Sequence, residues 1–75
     1  GKVEWADPPD RAVLAFQLHT SEETVFVATN FADRVAEIEA PAGVDAFSGD
    51  RVGGLLVLEP YGFVWVVRSR AAGSP

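Results

Sequence analysis

The stretch Leu58-Glu59-Pro60-Tyr61-Gly62-Phe63-Val64-Trp65-Val66-Val67 most constrains this chain, because it runs from an apolar residue through a Pro-Tyr-Gly turn into a strand apolar at every position. A strand of that kind is expected to be buried on both faces, since alternation with polar residues is what a half-solvated strand shows. One face can fill the chain's own core and the other a second interface.

At 75 residues the chain is one domain at most, near the size at which a single core just outweighs chain entropy. It has no cysteine, so neither disulfides nor thiolate chemistry are available and apolar packing must supply stability. Its hydrophobic fraction of 48% is high for so small a domain, and the excess implies that some apolar surface faces a partner or a neighbouring domain.

Six basic and eleven acidic residues give a net charge of −5, and Lys2, Arg11, Arg34, Arg51, Arg68 and Arg70 are scattered. An acidic surface repels phosphate backbones, so nucleic acid is not an expected partner. No apolar run approaches the roughly 20 residues of a membrane span, and no signal-peptide pattern opens the chain. The cytoplasm is the default compartment.

Period-2 patterning dominates. A short lead-in strand near Val3 to Trp5 precedes the Asp7-Pro8-Pro9-Asp10 loop, and residues 1–11 read as a lead-in or linker. In Ala12 to His19, Leu14, Phe16 and Leu18 share one face. Thr20-Ser21-Glu22-Glu23 then turns the chain into Thr24 to Phe31, completing a hairpin in which Asn30 starts the next turn. Val35 to Ala40 sets Ala36 and Ile38 against Glu37 and Glu39, a half-buried strand with a wet face.

Pro41-Ala42-Gly43 interrupts that pattern and Val44 to Phe47 resumes it. Ser48-Gly49-Asp50 is a tight turn, Gly53-Gly54 a bulge or bend, and Leu55 to Glu59 and Gly62 to Arg68 are the last strands. The expected fold is all-β, a small antiparallel Greek-key β-sandwich of about six to seven strands over residues 12–68. Residues 69–75 read as a disordered tail.

Candidate chemistry is sparse. Glu37 and Glu39 lie about 6.5 to 7 Å apart by strand rise, near the spacing of an inverting glycosidase pair. Yet alternating glutamates opposite Ala36 and Ile38 describe any solvated sheet face, and a small sandwich offers no deep cleft. His19 is the only histidine, which excludes a multi-histidine metal site, and no nucleophile motif surrounds Ser21, Ser48 or Ser69. Gly53-Gly54 and Ser48-Gly49-Asp50 precede no helix, so they are turns and not phosphate cradles.

No catalytic residue, metal ligand or cofactor is expected. Among the aromatics, Phe16, Phe26, Phe31 and Phe47 are expected in the core and Trp65 in core or interdomain packing. Trp5 and Tyr61 are the better candidates for a surface role; Trp5, Tyr61 and Trp65 together are the residues proposed to contact carbohydrate or another domain.

Four landmarks then stand in order: Val13-Leu14-Ala15-Phe16; Val25-Phe26-Val27-Ala28-Thr29-Asn30-Phe31; Asp45-Ala46-Phe47-Ser48-Gly49; and Leu58-Glu59-Pro60-Tyr61-Gly62-Phe63-Val64-Trp65. In this arrangement the chain resembles the C-terminal β-domain of α-amylase-family glycoside hydrolases and transglycosylases, in the branch of trehalose synthase, oligo-1,6-glucosidase and sucrose-type enzymes. Where many members carry an arginine soon after the first strand, this chain has Gln17-Leu18-His19. The resemblance implies a domain without an active site of its own, packed against a catalytic (β/α)8 barrel, in a parent that hydrolyses or transfers α-glucosides. It also leaves open an α-glucan-binding module using exposed aromatics, and self-association of the isolated domain.

Overall fold

A computed structural model describes residues 2–8 and 10–69. The described residues form six strands and no helix: β1 (Lys2–Trp5), β2 (Val13–His19), β3 (Glu23–Asn30), β4 (Ala36–Asp45), β5 (Arg51–Leu58) and β6 (Phe63–Ser69). All pairings are antiparallel, in the order β1-β2-β3-β6-β4-β5. Two connections, β3 to β4 and β5 to β6, skip a neighbouring strand, so the chain is not a simple meander.

The sheet bends into two layers. Strands β1, β2, β3 and β6 pair along their lengths, whereas β4 meets β6 only at Val44 and Asp45. From that hinge the β4–β5 hairpin folds across the layer, and both contribute to one core. Val13, Ala15, Phe26, Ala28, Val64 and Val66 come from the four-stranded layer; Ala36, Ile38, Ala40 and Leu58 come from the hairpin. Four of these ten residues are alanine, so the core is thin and holds little bulk for its length.

Each strand follows from its alternation or from a β-branched and aromatic run, and each turn from local chemistry. In the β2–β3 turn the Thr20 hydroxyl accepts from the Glu22 and Glu23 amides at 3.2 and 3.0 Å. In the β4–β5 loop the Asp45 carboxylate accepts from Phe47 and Ser48 at 2.8 and 3.0 Å. At the β5–β6 turn Gly62 N–H donates to Glu59 O at 2.8 Å, with Pro60 and Tyr61 between. Tyr61 has a φ of 59° there, a left-handed position where glycine or asparagine is usual.

Several sequence expectations need correction. Strand β4 does not stop at Pro41: it continues to Asp45 through a register shift between Ala40 and Gly43. A bulge accommodates the missing proline N–H, which a regular ladder position would not. Likewise β5 starts at Arg51 and not at Leu55, and the bulge expected at Gly53-Gly54 lies within it, where the register shifts against β4 and Gly54 takes a φ of 80°. Phe31 and Phe47 are 61% and 68% exposed, and Phe16 is half-buried on the outside of the sheet, so of the four phenylalanines expected inside only Phe26 is in the core.

Among the described residues, the last strand is buried on one face and only partly covered on the other, by Phe47. Val64 and Val66 are buried, but Phe63 and Trp65 face outward at 55% and 44% exposure, and Trp65 is not a core residue. The tail expected over 69–75 lies outside the described residues except for Ser69, which ends β6.

Candidate interaction face

Side chains directly opposite one another in a ladder share a face, so the register assembles the outer surface of the four-stranded layer row by row. One row runs Trp5, Phe16, Val27, Trp65 straight across β1, β2, β3 and β6. The row on one side is Val3, Leu18, Val25, Val67, and the row on the other is Leu14, Thr29, Phe63. Of these eleven side chains only Thr29 is polar. The face ends at Glu23 opposite Ser69.

Aromatic contacts pack the face laterally. Trp5 and Phe16 lie 5.3 Å apart between ring centroids, and Phe47 from the β4–β5 loop meets Phe63 at 5.4 Å and Trp65 at 5.7 Å. These tilted and edge-on arrangements are the favourable ones for aromatic pairs. A backbone bond from Ala46 N–H to Trp65 O, 2.9 Å, holds the loop against β6.

Trp5 and Trp65 therefore share this face, separated by three inter-strand steps or about 14 Å. Tyr61 is 66% exposed in the β5–β6 turn and belongs to none of the three rows. Leu14, Val27, Phe47 and Phe63 are not among the contact residues expected from the sequence, which reads Leu14 as sharing a strand face with Phe16 and Leu18 and Phe47 as core. The strands themselves were readable, but joining them into rows requires the pairing order, above all the insertion of β6 beside β3.

The inward face of the same layer changes character along its length. Beyond Phe26 and Val66 it ends in a polar row, Lys2, His19, Thr24, Arg68. His19 sits between two partners, its Nε2 3.1 Å from Glu4 Oε1 and its Nδ1 3.3 Å from Thr24 Oγ1. Gln17, His19, Thr24, Pro41, Val66 and Arg68 line a cavity of about 90 Å³ at this end.

Glu37 and Glu39 are exposed on the hairpin, opposite Val57 and Leu55 in the ladder, and border different hollows, Glu37 one shared with Asp10 and Arg34 and Glu39 one shared with Asp7 and Pro8. Asp10 is engaged by Arg34 in a two-pronged ion pair at 2.7 and 3.1 Å, tying the loop before β2 to the β3–β4 turn. That hydrogen bond, with a second from Ala12 N–H, holds the Asp10 carboxyl below the ordinary aspartate range. Asp45 is lowered similarly by the Ser48 and Phe47 amides.

Among the described residues no three histidine, cysteine or carboxylate side chains gather as a metal site, and no helix is long and apolar enough to cross a membrane. Compared with known protein families and with curated protein sequences, the chain matches none.

Proposed function

We propose that this chain is a non-catalytic accessory domain of an α-amylase-family enzyme acting on α-glucosidic bonds, and that it packs against and stabilises the catalytic (β/α)8 barrel. The outer apolar face of β1, β2, β3 and β6 is the observation that carries this reading. Three rows about 6.6 Å apart and four strands about 4.8 Å apart make a footprint of several hundred Å². A patch of this size, about that of the largest on a typical monomer, is often a functional surface. At about 25 cal/mol per Å², covering on the order of 400 Å² contributes roughly 10 kcal/mol before the costs of association, which are small between domains of one chain.

An α-glucan-binding module is the second reading, favoured by Trp5 and Trp65 standing exposed on one side. Sugar hydroxyls require polar partners beside the stacking rings, and the rows offer only Thr29. Protein packing therefore ranks above it.

The coding sequence ahead of Gly1 tests the context: a (β/α)8 barrel with strand-end carboxylates is expected there, and an unrelated domain overturns the assignment. In the full-length protein, Phe63→Lys with Trp65→Glu should lower the melting temperature of the barrel by several degrees. An unchanged barrel transition would mean that the face does not pack on it. Maltooligosaccharide titration followed by tryptophan fluorescence addresses the alternative, and silence at millimolar sugar removes it.

A further inference from the structure

The polar end of the inward face carries an arrangement that packing against a barrel does not use. In a chain of net charge −5, basic residues from three strands lie along one row there: Lys2 from β1, His19 from β2 and Arg68 from β6. Arg51 of β5 adds a fourth, since Arg68 also borders an adjoining groove with Arg51. Arg68 has no ion-pair partner among the described residues. Among the described residues the carboxylate that reaches the row is Glu4, which meets the Nε2 side of the imidazole ring. From β4 the cavity receives Pro41 and no charge.

The donor inventory fits an anion. Arg68 offers only N–H donors, Gln17 has amide donors, and Thr24, which carries a hydroxyl, lines the cavity with them. A volume of about 90 Å³ exceeds the roughly 10–15 Å³ that a single water needs, so the space admits a compact oxyanion.

The hydrogen-bond chain Glu4–His19–Thr24 links that site to a proton. Glu4 as carboxylate accepts from Nε2–H, so in the neutral ring Nδ1 must accept the Thr24 O–H. When the ring takes up a proton, Nδ1–H donates to Thr24 Oγ1 instead. The Thr24 hydroxyl proton is then free to point into the cavity, while the row gains a positive charge. Proton and anion each favour the other.

We propose that this end of the sandwich is a proton-coupled site for a small oxyanion, either tetrahedral or a carboxylate, held by Arg68 and Gln17 with Thr24 as the donor released by protonation of His19. It is independent of the packing assigned to the outer face.

The test is a titration of the ¹⁵N-labelled chain with sulfate, and in parallel with formate, at constant ionic strength. Neither probe changes charge between about pH 7.5 and 5.5, the range across which a histidine does. Saturable shifts confined to Gln17, His19, Thr24 and Arg68, several-fold tighter at the lower pH, are expected from at least one anion, and the tighter one names the ligand class. Arg68→Gln should abolish saturation, and Thr24→Val should leave weak binding that no longer depends on pH. Trp65→Glu on the opposite face should leave the titration unchanged. Shifts that do not saturate, that spread equally to Arg11 and Arg34, or that persist in Arg68→Gln would overturn the site.

Discussion

Asn30 is wholly buried, and every polar atom of its side chain is occupied. Its Nδ2 donates to Arg34 O at 2.7 Å and Glu59 O at 3.1 Å, and its Oδ1 accepts from Ala32 N–H at 3.0 Å. One amide thus joins the β3–β4 turn to the end of β5. Asn30→Ala strands these backbone groups without water, and urea unfolding should register a loss of about 2–4 kcal/mol. The local half of this role was readable, because asparagine at a strand end starts a turn. The reach to Glu59 was not, since nothing local brings residues that far apart in the chain together. Tyr61 is the reverse case, an exposed ring on a left-handed backbone that costs a non-glycine residue about 1–2 kcal/mol. Tyr61→Gly should therefore raise the urea midpoint slightly, glycine's greater unfolded-state freedom offsetting part of the relief. A lowered midpoint would show that the ring contributes to stability despite its exposure.

Strands were legible as elements because period-2 alternation survives in β1 and the first half of β4 and because β-branched and aromatic runs bounded by turns mark β3 and β6, and the two glutamates of β4 point outward as their spacing requires. Element ends were harder. Proline at Pro41 reads as a stop, yet the bulge beside it lets β4 continue far enough to reach β6. Gly43 makes that meeting possible: a Cβ there would lie 2.6 Å from Val66 Cγ1 and 2.7 Å from the Val67 carbonyl oxygen. Gly43→Ala should accordingly push β4 from β6 and loosen the hinge between the layers, visible as faster amide exchange at Val44 and Asp45 than at Ala36 to Ala40. Acid acts on the loops that join the elements. Asp10 and Asp45 have folded-state values below their unfolded ones, so their contribution to stability is complete above the unfolded value, about 3.9, and is lost as pH falls through the lower folded values. Asp10→Asn and Asp45→Asn should each flatten the acid limb of a stability-against-pH curve, while leaving its slope above about pH 5 unchanged.

For the whole molecule, the sequence announced an apolar surplus and left open which side of the sheet would hold it. Size is a poor guide here. The larger residues Trp5, Leu14, Phe16, Phe63 and Trp65 lie outside, and alanines line much of the interior. Reading bulk as burial therefore assigns Phe16, Phe31 and Phe47 to the wrong place, and the two-sided apolar pattern of β6, read as burial on both faces, holds for Val64 and Val66 but not for Phe63 and Trp65. The isolated chain should self-associate through the open face as its concentration rises in analytical ultracentrifugation, and Phe63→Lys with Trp65→Glu should return it to a monomer. Strand β1 gives the division of labour its clearest form, for all four of its residues are exposed and none enters the core. A chain shortened to begin at Asp7 would keep every core side chain, yet lose Val3 and Trp5 from the outer rows. The margin of this domain can thus be lengthened, shortened or recut to suit a different neighbour, and the fold beneath it need not be redesigned.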